Sequence, residues 1–200
     1  MEVVDERRIT VAAMEPLALL HRTAAEYRNR LAAVPRDTWG DPSVCAEWTV
    51  KDVADHVVGG NRFAVALLDG ARTEDAMAVA HAGGFDGDPV DRFDETAAAQ
   101  LAAFEATGAL ERIVHHPAGD MTGAAFLGFR AGDLLLHGWD LAHSTGGEAT
   151  LPTELAEAIH AVYLPTAEAA RAFGVFADRG TEPTADTPID QRLLMLTGRA

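Results

Sequence analysis

Asp133, His137, Asp140 and His143 are packed into an otherwise apolar stretch, "DLLLHGWDLAHSTGG" (133–147). On a helix, side chains four positions apart differ by about 40° in direction and lie one turn apart. Asp133 and His137 can therefore face one ligand, and Asp140 continues the row. Phe126 and Arg130 precede them on the same stripe, while Leu134, Leu135, Leu136 and Leu141 fill other faces. A helix that is apolar nearly all round is buried. Charge without a partner is costly in an interior, so the stripe is expected to face an interior polar site. His143, six positions beyond His137, points away from it.

His56 is the natural partner. It sits among Val53, Ala54, Val57 and Val58, followed by Gly59-Gly60. Glycines inside a helix cost stability and often mark the close approach of a neighbour or a ligand. His56, Asp133 and His137 together supply two imidazoles and a carboxylate. That set suits a divalent cation in a bundle core, with positions left open for water or substrate. Zinc is the first expectation, and nickel or iron also fit. Two plainer readings stand beside this one. A core histidine is more often hydrogen-bonded than ligating, and an Asp-x-x-x-His pair can be a local hydrogen bond. Either Asp133 or Asp140 could provide the carboxylate, the other orienting a histidine. Arg130 is placed to pair with Asp133 or to contact an anionic substrate. Asp52 and Asn61 on the second helix are further candidates for supporting a ligand or touching substrate.

Other chemically capable residues carry weaker patterns. Cys45 is the only cysteine, which excludes an intrachain disulfide and a multi-cysteine metal site. Its expected role is packing, with a reactive thiol near a helix N-terminus as the lesser alternative. His115 and His116 are adjacent in an extended segment and point opposite ways, so they read as crossover residues. His21, His81 and His160 are expected at solvent or the bundle edge, and Trp39 and Trp48 as packing anchors of a connector.

The elements that must position these residues are mostly helical. A first helix is expected over residues 10–34 and a connector over 35–48. Thr49 and Asp52 form a capping-box signature for a second helix ending near Gly70. Residues 71–88 read as a loop, Pro89 opens a third helix, and 109–121 read as a non-helical crossover, extended near 111–115. The fourth helix spans about 122–145 and ends at Gly146-Gly147. A fifth follows Pro152 and is bent or broken at Pro165. A short final helix lies in "PIDQRLLMLTGR". No sheet pattern stands out. The expected fold is an all-α bundle in a single domain over 1–200, with a core of about 10–147 and an extension over 148–200.

The net charge of −15 argues against nucleic acid, which is gripped by lysine and arginine, and against anionic membranes. No apolar run reaches spanning length, and the charged N-terminal stretch lacks a signal-peptide core. A cytoplasmic protein acting on a small molecule is expected, with homodimerisation open.

The segments "WTVKDVADHVVGGN" (48–61) and "LLLHGWDLAHSTG" (134–146) resemble the two signatures of the DinB-like, mycothiol-dependent maleylpyruvate isomerase N-terminal superfamily, nearest to its actinobacterial branch of small metal-binding proteins. The closing "DTPIDQRLLMLTGR" is similar to that branch's ending. The resemblance implies a DinB-like four-helix bundle with metal bound by His56, Asp133 and His137. The typical isomerases carry glutamate where Asp133 stands, and a separate C-terminal domain that this chain is expected to lack. It also implies mycothiol as thiol cofactor and an isomerase or thiol S-transferase activity. A non-catalytic metal- or ligand-binding bundle remains the alternative, and a purely structural bundle the third.

Overall fold

A computed structural model describes residues 14–82, 87–177 and 180–199. Four long helices make the bundle: α1 (Pro16–Ala33), α2 (Val50–Leu68), α4 (Pro89–Glu105) and α5 (Gly123–Ser144). α1 and α2 each pack against both α4 and α5, so the two pairs occupy opposite diagonals. The bundle's interior is aliphatic and aromatic, with Leu20, Tyr27, Phe93, Phe104, Phe126 and Leu134 all fully buried. Burial extends nearly all round α5, as its composition required.

Local chemistry sets the helix boundaries. Pro16 starts α1 in the first turn, where its missing N–H is not needed. The first helix was expected from residue 10, but 10–13 lie outside the described residues. Thr49 caps α2 with both halves of the capping box formed: its hydroxyl accepts from the Asp52 N–H, and Asp52 accepts from the Thr49 N–H. Asp88 caps α4 by accepting from the N–H groups of Val90 and Asp91. Among the described residues, no helix is long and apolar enough to cross a membrane.

Two expectations need correction. The segment 71–88, read as a loop, contains α3 (Thr73–His81), whose buried Ala76 packs it onto α2. Its amphipathic signal is carried mainly by alanines, too small to register as an apolar stripe. The crossover 109–121 holds a hairpin, β1 (Ile113–His116) paired antiparallel with β2 (Gly119–Thr122). Gly119, at φ 116°, makes its turn possible. Four-residue strands give too little alternation to reveal a sheet.

Beyond the bundle, α6 (Thr153–Tyr163) continues through a 3-10 turn (Leu164–Thr166) into α7 (Ala167–Ala172). The interruption includes Pro165, as expected. α6 packs on α5 and α8 (Ile189–Leu196) packs on α6. Gly198, at φ 74°, then reverses the chain while the Arg199 N–H bonds back to the Leu194 carbonyl. That reversal sends Arg199 towards α5.

Candidate metal centre

The stripe on α5 meets α2 at one end of the bundle. Asp133 Oδ1 lies 3.2 Å from His137 Nε2 and 3.5 Å from His56 Nε2. The three donor atoms all fall within 4.8 Å of one another, a separation that one ion can bridge. The half-buried Asp133 contributes Oδ1 to this group and gives Oδ2 to the Arg130 guanidinium. Arg130 is itself held by Gln100 Oε1 at 2.8 Å and Asn61 Oδ1 at 3.0 Å. Asn61 in turn donates to Thr96 Oγ1. Arg130 and Asn61 thus act behind the carboxylate, fixing its direction.

His137 is oriented from its other side. Its Nδ1 bonds Asp140 Oδ2 at 2.8 Å, leaving Nε2 for the shared centre. Asp140 is buried and also receives a two-pronged grip from Arg199, at 2.8 and 2.9 Å. A carboxylate behind a ligating imidazole fixes the ring's tautomer and raises its basicity. The geometry therefore separates the two carboxylates: Asp133 faces His56, and Asp140 stands behind His137. Cys45, His137 and Asp140 form a second close group, with the Cys45 thiol donating to Asp140 at 3.3 Å. The thiol meets the carboxylate side of the site.

Charge follows the geometry. Burial alone would raise the Asp133 carboxyl, but Arg130, His56 and His137 overcome it and hold its pKa well below the usual range. Burial opposes the imidazolium of His137, yet Asp133 and Asp140 outweigh it and hold that pKa well above the ordinary histidine value. Asp140, also desolvated, is lowered by His137 and Arg199.

The glycine pair has separate tasks. A Cβ at Gly60 would collide with the Arg130 guanidinium, and one at Gly59 with the Ala80 carbonyl of α3. Gly60→Ala is expected to displace Arg130, costing about 1–3 kcal/mol in urea unfolding as an overpacked site. It should also weaken metal retention, because Asp133 loses its support.

Several sequence expectations change here. Trp48 is a wall of the site, its ring centroid 5.0 Å from His56 and 6.1 Å from His137. Asp52 is exposed at the rim, with Oδ2 committed to the Thr49 cap. His116 is no mere crossover residue: it packs among Phe63, Phe126 and Phe129 in the cleft that His56 and Asp133 also line. His115 pairs outside with Asp120. His21 meets Glu105, and His143 stacks on Trp139, away from the centre. His81 is exposed at the cleft's edge. Arg199 carries no sequence signal for this site, because only the fold brings it near Asp140. The cleft beside the centre encloses about 1020 Å³ and is mainly apolar.

With this geometry in place, the chain matches the family of mycothiol maleylpyruvate isomerase N-terminal domains over residues 20–142. It is 33% identical over 184 residues to the uncharacterized proteins Rv0738 and MT0763 of two Mycobacterium tuberculosis strains, covering 89% of this chain and 94% of theirs. Two crystal structures share the fold: the mycothiol-dependent maleylpyruvate isomerase (TM-score 0.50, 17% identity) and a histidine-to-alanine variant of it (TM-score 0.54, 19% identity). Each alignment covers 72% of this chain but only 65% of the isomerase chain.

Proposed function

The chain belongs to the mycothiol maleylpyruvate isomerase N-terminal domain family, and on that footing we propose that it is a metal-dependent enzyme of the thiol-using isomerase or S-transferase type, with mycothiol as the thiol. The carrying observation is the convergence of His56, Asp133 and His137, from two helices, beside a large apolar cleft that His56 and Asp133 line. The donor set fits a divalent cation: two imidazoles and a carboxylate oxygen, with the outer nitrogen of His137 already taken by Asp140. Zinc is the preferred ion. When bound, it would supply Lewis acidity and stabilise a thiolate at neutral pH.

The protein's own residues provide the setting. Arg130 and Asn61 hold Asp133 in place, Asp140 fixes the direction of His137, and Trp48 covers the two imidazole rings. The aromatic walls exclude water from a substrate beside the centre, which strengthens every electrostatic interaction there. We read residues 148–200 as part of the same functional unit, because Arg199 grips the carboxylate behind His137.

The test is to incubate zinc-loaded protein with mycothiol and a panel of small electrophiles, following adducts and isomers by mass spectrometry. Turnover lost on chelation and restored by zinc is the expected result. Stoichiometric zinc with no turnover across the panel would overturn the enzymatic reading in favour of a non-catalytic binding bundle.

A further inference from the structure

The cleft that opens at the candidate centre has a chemical bias of its own. Phe63, Phe126 and Phe129 line it, with Met121 and Tyr163 alongside. Two exposed apolar residues, Phe173 and Val175, form its lip. The rim carries Glu47, Asp52 and Asp55. Arg130 is the one arginine or lysine among the described lining residues, and Asp133, Asn61 and Gln100 occupy its guanidinium. Away from the metal donors, a dicarboxylate would meet acids at the mouth and no available cation along the wall. Burying a carboxylate without a partner is costly.

One polar group does stand free on that wall. The Ala118 N–H donates to His116 Nδ1 at 3.1 Å. Nδ1 is therefore an acceptor, and in the neutral ring the hydrogen sits on Nε2. Burial and the nearby Arg130 push the His116 pKa down, which keeps the ring neutral. It is clamped by Phe63 and Phe126, each at 5.6 Å, and lies almost parallel to Phe129 at 6.4 Å. No described residue accepts from Nε2. Phe126, against which His116 packs, precedes Asp133 by seven positions on α5, a rise of roughly 10 Å.

We propose that the cleft takes an uncharged electrophile with an apolar body, whose neutral hydrogen-bond acceptor is held by Nε2–H of His116 beside Phe126, about two helical turns along α5 from Asp133. The proposal rests on the metal-centred reading above and adds the substrate class. His116 is a positioning residue, the aromatic walls hold the body, and the reactive end faces the thiol.

Four unreactive probes test it on zinc-loaded and on chelated protein, by calorimetry and tryptophan quenching. They are para-acetylbiphenyl, its isosteric anion para-biphenylcarboxylate, para-ethylbiphenyl without an acceptor, and maleate. On chelated protein the acetyl compound is expected to bind about tenfold or more tightly than either anion. His116→Phe keeps an aromatic ring but removes the donor. It should weaken the acetyl compound about tenfold and leave the ethyl compound unchanged. His116→Gln, which places an N–H near the Nε2 position, should restore much of the loss. Tighter binding of either anion to chelated protein, or equal effects of His116→Phe on the acetyl and ethyl probes, would overturn the proposal. Thermal melts establish that both variants fold. Zinc content, measured on the same samples, separates the two readings: a chain without zinc that still ranks the probes this way defeats the metal-dependent function but not the cleft's preference.

Discussion

His56→Ala combined with His137→Ala is expected to abolish stoichiometric metal in protein purified without added metal, while the wild type should retain it; elemental analysis reads the difference directly. Each single substitution should lower zinc affinity by more than the roughly 10- to 100-fold typical of losing an outer hydrogen-bonding partner, because each removes a donor and not its support. Asp133→Ala should lose metal too, but with a second signature. It leaves the Arg130 guanidinium buried without its carboxylate. Breaking one side of such a pair costs about 3–5 kcal/mol. Gln100 and Asn61 still hold Arg130, which places the expectation near the lower end. The His56 variant should lack this large stability loss, since His56 is substantially exposed. The sign of the pH dependence also follows. Asp133 and Asp140 hold the His137 pKa well above its ordinary value, so a cation must compete with a proton there. Metal affinity should therefore rise with pH across the neutral range, with proton release on binding. Stoichiometric metal in the double-histidine variant would sink the assignment of these donors.

The pairing of Asp133 with His137 was legible because helical spacing is a local property. Once a segment is recognised as a helix, residues four apart must share a face. The addition of His56 needed a second helix and a guess about which faces meet; the glycines after it pointed the right way. Gly60 does permit a close approach, but the approaching group is the Arg130 side chain. The division of labour between Asp133 and Asp140 was not legible. Both lie on the same stripe, and only the bundle's crossing decides which faces His56. His116 escaped notice for a related reason. Alternation in an extended segment shows that His115 and His116 diverge, but not which one a distant helix will receive. Nothing in "LTGR" indicates that Arg199 reaches a carboxylate fifty-nine residues earlier. α3 was missed because alanines form its buried contact, and its amphipathicity is correspondingly faint.

Asp140→Ala should cost more stability than the removal of either metal-facing histidine. Asp140 is almost fully buried and links three parts of the chain: His137 on α5, Arg199 beyond α8, and Cys45 in the connector. Truncating it leaves the largely buried Arg199 guanidinium without a counter-charge, a loss of about 3–5 kcal/mol measurable by urea unfolding. It also frees the His137 ring from its outer anchor, so zinc affinity should drop about 10- to 100-fold. Arg199→Ala separates the two effects. It spares the bond between Asp140 and His137 and should affect stability more than zinc affinity. Asp140→Asn supplies the pH control. The folded-state pKa of Asp140 lies below its unfolded value of about 3.9. Its stabilisation is therefore fully present above that value and is lost as pH falls towards the folded pKa. The stability gap between wild type and Asp140→Asn should hold from neutral pH down to about 5, then narrow below about 4. A gap that stays constant into strong acid would mean that the charge of Asp140 contributes nothing, leaving shape alone to join the C-terminal segment to the site. If Arg199→Ala unfolds at the same urea concentration as the wild type, the C-terminal segment is not held by this pair. His137 would then owe its orientation to Asp140 alone, and residues 148–200 would have no electrostatic connection to the centre through Arg199.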